Sequence, residues 1–303
     1  MHHPWFEIGK EAVQQLAQGI SGYACPLCLA IFETFSLQDQ NGLSREDVPP
    51  KHFGGKKIVL TCRRCNSTAG ATVDAQLALN EKFRKIGGTD GLPAKLSVGD
   101  TDGWVWADFE FQPEENTIVV LPRNNPAATR RSYEQMKKAG EGSTIQLSFQ
   151  GGVPRHASIS LLRAAYLAAF AKFGYRFVAR DVFDPIRQVI SNPTSASHDD
   201  FHLHIQTSVA DRRIGFVTTP AWAVALACQF DSHLILLPIF DDDNLYDRIA
   251  TAKREGPDAI SISMTALPFP TKPEHLLDFD SERAANCLGF LRSLATHVTR
   301  EPK

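Results

Sequence analysis

Two pairs of cysteines constrain this chain more than any other feature of its sequence. Each pair has the spacing Cys-x-x-Cys, the first at Cys25 and Cys28 and the second at Cys62 and Cys65, with 33 residues between the pairs. A two-residue spacer in a tight turn directs both sulfurs at one cation, and a second pair completes a tetrahedron of thiolates. The pattern predicts a closed, structural Zn²⁺ site with four protein ligands; the alternatives are two unrelated redox pairs or cysteines buried in a core.

The composition is that of a globular protein with one large domain or two. Of the 303 residues 43% are apolar and 22% are charged, and the net charge of −2 is too near zero to indicate a partner. The most apolar stretch, residues 157–173, is interrupted by Arg163 and Lys172, so no membrane span is expected. No basic segment followed by an apolar one opens the sequence, which predicts a cytoplasmic protein and favours a metal over disulfides.

The segment around the second cysteine pair carries acidic and turn-forming residues in a characteristic order. An acidic pair precedes Val-Pro-Pro, a Gly-Gly turn follows, and then come Leu-Thr-Cys-x-x-Cys-Asn and Gly-x-x-x-Asp. This order resembles the zinc-stapled branch of the HNH endonuclease family, over about residues 25–86. The positions that carry the resemblance, besides the four cysteines, are Glu46, Asp47, Gly54, Gly55, Asn66, Gly70 and Asp74.

The resemblance implies a ββα-metal fold, in which a hairpin and a helix hold one divalent cation. The local sequence supports the same elements independently. Residues 58–60 have the apolar, β-branched character of a strand, and the glycines before them predict a turn. Apolar residues at helical spacing then predict one face of a helix that ends at Gly87 and Gly88, namely Ala75, Leu79, Phe83 and Ile86.

The resemblance also implies roles for individual side chains. Glu46 matches the acid that helps to hold Mg²⁺ or Mn²⁺, and Asp74 could supply a further ligand to that cation. Asn66 matches the asparagine that orients the base or its loop. Asp47 stands where the family has its general-base histidine, and its carboxylate could still ligate the same cation. His52 lies five residues later and is a further catalytic candidate, although an exposed loop histidine is the simpler interpretation, as a solvated turn is for the acidic pair.

The departure at Asp47 determines which activity is expected. Histidine suits the base role because its pKa of about 6.5 lies near working pH, whereas a carboxylate with a pKa of about 3.9 is a weaker base facing a negative phosphate. The leading hypothesis is therefore a metal-dependent HNH-type nuclease, weakened by this exchange. One alternative is a catalytically degenerate HNH-like zinc module that binds nucleic acid or protein. Another places the activity in residues 96–303, with the N-terminal part as an accessory.

Basic residues are concentrated in the same segment. Residues 41–70 contain six basic and two acidic side chains, and a local excess of this kind favours nucleic acid, with DNA preferred, as the partner. A solvated face is the simpler alternative, and the oligomeric state stays open. The six basic residues are Arg45, Lys51, Lys56, Lys57, Arg63 and Arg64.

The chain is predicted to be an α+β protein, with a zinc-stapled HNH-like module in residues 1–95 and a larger mixed α/β domain of unknown role in residues 96–303. Alternating apolar residues predict strands near 105–111, 117–121, 145–149, 201–205, 234–239 and 260–264. Helices are predicted for 157–173, for 184–190 and from Ser281 onward. Cys228 and Cys287 are expected to be small core residues.

Three further features of the C-terminal part could bind ligands. His202 and His204 project from one strand face, which suits a metal, although polar residues on an exposed face are the simpler interpretation. Residues 241–243 are all aspartate, which predicts a solvated acidic loop. Residues 151–156 precede the buried helix and could hold an anion, but they lack the Lys-Ser/Thr of a phosphate loop.

Overall fold

The fold combines helices with antiparallel sheets, which confirms the predicted α+β class. The computed structural model describes residues 3–17, 19–36, 39–84, 92–98, 105–112, 117–122, 127, 130, 134, 137, 145–149, 154–194, 201–204, 212–255 and 261–274. The chain forms two compact units, Met1–Asp74 with Ser158–Lys303, and Ala75–Ala157. This division differs from the predicted one at residues 95 and 96, because contacts such as that of Arg163 with Glu46 group the C-terminal residues with the cysteine-bearing segment.

The helices and strands alternate irregularly along the chain. Within the described part of the chain, the α-helices with defined bounds are α1 Pro4–Leu16, α2 Arg63–Ala69, α3 Ala75–Arg84, α4 Pro154–Phe173, α5 Tyr175–Val178, α6 Asp184–Ser191 and α7 Leu245–Glu255. A π-helical turn, Gly70–Asp74, joins α2 to α3, and 3₁₀ turns lie at Lys51–Phe53, Asp181–Phe183 and Ala221–Ala223. The strands are β1 Tyr23–Ala24, β2 Ile31–Phe32, β3 Leu43–Val48, β4 Lys56–Cys62, β5 Leu92–Val98, β6 Val105–Gln112, β7 Thr117–Pro122, β8 Ile145–Phe149, β9 His202–His204, β10 Arg212–Thr219, β11 Ala225–Phe230, β12 His233–Leu237 and β13 Ser263–Leu267.

The first unit contains two hairpins and one larger sheet. The hairpins are β1–β2 and β3–β4, and the sheet has the antiparallel order β13-β10-β11-β12-β9. Helix α7 buries Leu245 and Ile249 against side chains of β11 and β12, such as Ala227 and Leu236. Successive strand residues point to opposite faces, so Cys228 and Ile235 belong to the other face. That face receives α4, because the Cys228 thiol donates to the Ala165 carbonyl at 3.7 Å.

Helix α4 is the centre of the first unit. Its residues from Ile159 onward are almost all buried, as the apolar sequence predicts, and Gly174 ends it in a left-handed conformation with φ 77°. Tyrosines tie this region to the first hairpin: Tyr166 donates to the Pro26 carbonyl at 2.7 Å, and Tyr175 donates to the Ala24 carbonyl. The long helix therefore holds the cysteine-bearing hairpin as well as the sheet.

The second unit contains an antiparallel sheet of order β7-β6-β5-β8. The predicted hairpin of residues 105–121 is confirmed as β6 and β7, although its turn at residues 113–116 lies outside the described part of the chain. Helix α3 also belongs to this unit and begins at the predicted residue. The predicted apolar face is wrong, since Ala75 is exposed and Leu79 is half-buried, whereas Val73 and Leu77 are buried.

Several element boundaries differ from the predicted ones. Strand β13 begins three residues later than the predicted segment 260–264, and Asp184, which the sequence predicts as an N-cap, is instead the first residue of α6, with Phe183 as the N-cap. The predicted helix from Ser281, Cys287, and the helix stop at Gly87 and Gly88 lie outside the described residues. Among the helices described, none is both long enough and apolar enough to span a membrane.

Replacement by alanine should have opposite effects at two glycines, Gly55 between β3 and β4 and Gly70 at the end of α2. A Cβ atom at Gly55 would lie 1.5 Å from the Pro49 carbonyl oxygen, so Gly55→Ala should lower the free energy of unfolding by about 1–3 kcal/mol. Gly70 has helical angles and open space around it, so Gly70→Ala should raise the same quantity by up to about 1 kcal/mol. Urea unfolding measures both, and equal effects of the two replacements would contradict the loop geometry.

Candidate functional site

The four predicted zinc ligands converge on one point. The sulfurs of Cys25, Cys28, Cys62 and Cys65 all lie within 4.8 Å of one another, and all four cysteines are reduced. The Cys28 and Cys62 sulfurs are 3.7 Å apart. A tetrahedral zinc site with Zn–S bonds of about 2.3 Å has sulfurs about 3.8 Å apart. The cluster therefore has the dimensions of a metal site and is compatible with structural Zn²⁺.

Backbone structure positions each pair of sulfurs. The first pair lies in the turn of the β1–β2 hairpin, where the amide of Leu29 donates to the Cys25 carbonyl at 2.8 Å. The second pair spans the junction of β4 with α2, where the amide of Cys65 donates to the Cys62 sulfur at 3.4 Å. The Cys62 amide donates to the Cys25 sulfur at 3.3 Å and joins the two pairs. Such N–H donors stabilise the thiolate form, which is the form that binds metal.

The pKa values of the four thiols are shifted in different directions. A hydrogen bond with Cys25 is the main reason that the pKa of Cys28 lies well below its usual range. A hydrogen bond with Cys25 is also the main reason that the pKa of Cys62 falls to about 6. The same hydrogen bonds, first that with Cys28, raise the pKa of Cys25, which keeps its proton. Without a cation, four sulfurs this close cannot all be thiolates, because their charges repel. Binding of Zn²⁺ would release the remaining protons.

The acidic candidates Glu46 and Asp74 meet a buried arginine. Both Glu46 oxygens face the Arg163 guanidinium, at 3.0 Å from Nη1 and 2.9 Å from Nη2, and Thr61 donates to Oε2 at 3.3 Å. Asp74 lies 3.6 Å from Arg163 Nη1 and accepts a hydrogen bond from Ser160. The Glu46 and Arg163 side chains are only 6% and 2% exposed. We call Glu46, Asp74 and Arg163 the ionic cluster.

Burial and charge act in opposite directions on the ionic cluster. Burial raises the pKa of Glu46, and the attraction of Arg163 and the hydrogen bonds from Arg163 and Thr61 counteract that rise. The Asp74 carboxylate adds to the rise in the pKa of Glu46 because it is a like charge. Burial lowers the pKa of Arg163, but the Glu46 and Asp74 carboxylates outweigh it and leave that pKa above its usual value. The guanidinium is thus the positive charge that two convergent carboxylates require.

Asn66 and Asp47 do not join the ionic cluster. The Asn66 amide donates to Ser44 Oγ at 2.9 Å and to the Arg45 carbonyl at 3.5 Å, so it connects α2 to β3. Asp47 is half-buried and lies opposite Lys57 in the ladder, after an irregularity that separates it from Glu46. The backbone of His52 lies in the 3₁₀ turn Lys51–Phe53 between β3 and β4.

Arg163 was missed as a site residue, although the sequence carried a signal for it. It interrupts the most apolar stretch of the chain, and a charged residue on a helix that is apolar on all sides must find a buried partner of opposite charge.

The structure corrects the expectation for Asp243. It does not lie in a solvated loop, because its carboxylate is 2% exposed and accepts from Arg248 at 2.7 Å.

A groove borders the sulfurs of Cys28 and Cys62. Its volume is about 470 Å³, within the range of small-molecule sites, and its lining combines polar with apolar side chains. The lining residues are Cys28, Ala30, Phe32, Gln40, Asn41, Cys62, Arg63, Arg64 and Ser67. Five of the six predicted basic contacts are exposed, and Arg63 is half-buried.

No protein-family model, curated protein or solved structure matches this chain.

The geometry of the four sulfurs predicts one tightly bound Zn²⁺ per chain. Cys62→Ser should abolish zinc binding and lower the midpoint of urea unfolding, because metal-binding energy contributes directly to folding of such a module. Cys228→Ala, at a buried cysteine outside the cluster, is the matched control and should keep its zinc. Elemental analysis of the purified variants measures the difference. Zinc-free wild-type protein that is fully folded would contradict the prediction.

The ionic cluster predicts a large cost for removing its arginine. Arg163→Met leaves the Glu46 carboxylate buried without its partner, which should lower the free energy of unfolding by about 3–5 kcal/mol. The double variant Glu46→Gln with Arg163→Met should recover part of that loss. Arg130→Met breaks an exposed ion pair with Glu134 and should cost less than about 1 kcal/mol. Equal costs for the two arginine replacements, measured by urea unfolding, would contradict the prediction.

Proposed function

We propose that residues 23–84 form a zinc-stabilised, HNH-like module that binds nucleic acid without cleaving it. The observation that carries this proposal is the pairing of Glu46 with Arg163. It favours the catalytically degenerate alternative over the nuclease.

Both oxygens of Glu46 are engaged by the guanidinium and by Thr61. A divalent cation would need these lone pairs, and it would have to bind beside a positive charge that is buried with it. Arginine supplies charge and planar hydrogen bonds but cannot polarise a phosphate oxygen as a metal does or lower the pKa of a bound water. The pairing of Glu46 and Asp74 with Arg163 thus supports a module without a catalytic Mg²⁺ or Mn²⁺.

The base position supports the same proposal. Asp47 replaces the histidine that the resemblance implies, and a carboxylate there is a weaker base that repels the phosphate. The two defects concern different steps, since one removes the cation and the other removes the proton acceptor. Restoring one of them alone should therefore give no efficient hydrolysis.

The surface of the module supports binding to a phosphate backbone. The exposed cations lie on β3, on the 3₁₀ turn, at the start of β4 and on α2, and Arg63 and Arg64 also line the groove beside the sulfurs. Arg45 is additionally held by cation–π contact with Trp5, at 5.9 Å from the ring centre. Cations of this kind give affinity that is independent of sequence and sensitive to salt.

We expect the wild-type chain to bind duplex DNA and to leave plasmid and RNA intact in Mg²⁺ and Mn²⁺. Lys56→Ala with Lys57→Ala should weaken binding and reduce the slope of log affinity against log salt by about 2, because two phosphate contacts are lost. Lys253→Ala with Arg254→Ala removes two exposed cations from α7 and is the matched control, with no change expected. Fluorescence anisotropy over a salt series measures the slopes.

Cleavage assays test the catalytic half of the proposal. Asp47→His alone should stay inactive, because Arg163 still occupies the carboxylates of Glu46 and Asp74. Efficient cleavage by the wild type, lost in Glu46→Gln, would overturn the proposal and restore the nuclease hypothesis. Absence of nucleic-acid binding in a folded, zinc-loaded protein would also overturn it.

A further inference from the structure

The groove beside Cys28 and Cys62 has a lining that contact with a phosphate backbone alone does not require. Its volume of about 470 Å³ lies in the range of sites that hold a small organic molecule. Besides the two cysteines, its lining includes one aromatic ring, two side-chain amides, one hydroxyl and two guanidinium groups. These groups belong to Phe32, Gln40, Asn41, Ser67, Arg63 and Arg64.

Backbone hydrogen bonds connect the turn before β3 to the start of α2, and both segments line the groove. Within the turn, the backbone amide of Asn41 donates to Asp39 Oδ1 at 2.9 Å, and that of Gly42 donates to the Asp39 carbonyl at 3.1 Å. The backbone amide of Arg63 then donates to the Gly42 carbonyl at 3.0 Å. The groove is therefore formed before a ligand enters, which lowers the cost of ordering it on binding.

The hairpin beside the groove exposes apolar groups. Phe32 is half-buried, and Leu29 and Ile31 on the same hairpin are 40% and 42% exposed. Phosphate oxygens gain nothing from apolar side chains, whereas the faces of a nucleobase pack on aromatic and aliphatic groups. This edge of the groove thus suits a base better than it suits a backbone.

The polar lining fits the remaining parts of a nucleotide. Gln40 and Asn41 are exposed, and each of their amides offers both a donor and an acceptor, as the edge of a base does. Arg64 is exposed and supplies a positive charge for a phosphate.

The cysteines favour a neutral group on their side of the groove. Four thiolates outweigh the charge of one Zn²⁺, and the remaining negative charge repels a phosphate. A base is neutral, and its amino groups can donate hydrogen bonds to a thiolate sulfur. The phosphate of a bound nucleotide is therefore expected at Arg64 and its base nearer to Cys28 and Cys62.

We propose that the groove binds one unpaired nucleotide, with its base against Phe32 and its phosphate at Arg64. The inference rests on the proposed function, since it adds a base-binding site to a module that binds the phosphate backbone. A base inside a duplex is stacked and paired, so only a nucleotide that has left the stack can enter. The module should then prefer DNA with an extrahelical nucleotide to an uninterrupted duplex.

Three DNA duplexes that differ at one position test the groove. One is fully paired, one carries a single bulged adenosine nucleotide, and one carries an abasic bulge with the same backbone. The two bulged duplexes have the same number of phosphates, so the difference between them reports the base. The full-length, zinc-loaded chain should bind the adenosine bulge about 5–150-fold more tightly than the abasic bulge, which corresponds to one stacked base. Fluorescence anisotropy at one fixed salt concentration measures the three affinities.

Two variants assign the preference to the groove. Phe32→Ala should lower the affinity for the adenosine bulge to that for the abasic bulge and leave binding of the paired duplex unchanged. Gln40→Ala with Asn41→Ala alters only exposed side chains and should reduce the preference about 5-fold or more while the protein stays folded. Gln14→Ala with Gln15→Ala removes two exposed amides from α1, outside the groove, and is the matched control, with no change expected.

The outcomes separate this inference from the proposed function. If the wild type binds the paired duplex in a salt-dependent way but does not distinguish the two bulges, the inference is overturned and the proposed function stands. If the folded protein binds none of the three duplexes, both are overturned. A preference that persists in Phe32→Ala and in Gln40→Ala with Asn41→Ala would place base recognition outside the groove and also overturn the inference.

Discussion

The buried ion pair of Glu46 with Arg163 determines how the first unit is assembled. It joins β3 to α4, and α4 in turn packs on the five-stranded sheet. Two side chains that are 6% and 2% exposed can carry opposite charges because each neutralises the other, and because Arg163 Nη1 and the Thr61 hydroxyl donate hydrogen bonds to the Glu46 carboxylate. A helix and a hairpin far apart in sequence are therefore fixed in one register, and Tyr166 adds a second fixed point on the first hairpin.

The same pair sets the chemistry that the module can perform. A hairpin followed by a helix, with acidic residues near the junction, is the framework that the HNH resemblance implies, but its acidic residues are neutralised by a side chain of the protein itself. Under the proposed function, the framework has kept its zinc site and its basic surface and has exchanged a catalytic cation for a structural guanidinium. The fold requires Glu46 to keep a permanent partner, whereas catalysis would require Glu46 to bind an exchangeable ion.

The candidate metal site at the four cysteines is of a closed kind. Four thiolates around one cation leave no position for another ligand, so such a site stabilises local structure and does not hold a substrate. The role of these cysteines in the proposed module would therefore be structural.

The sequence by itself determined the features that depend on local spacing. Two Cys-x-x-Cys pairs specify a four-sulfur cluster because each pair needs only one tight turn, and the apolar residues of α4 specify a buried helix because they cover all of its sides. The strand of residues 58–60 follows from the same local rules, whereas the buried face of α3 does not match the predicted one. Tertiary structure alone decided that Arg163 meets Glu46, that Asp74 turns to Ser160, and that His233 lies beside His202. These contacts join residues 31 to 117 positions apart, and no local pattern encodes them, because they depend on how helices and strands pack rather than on how each one forms.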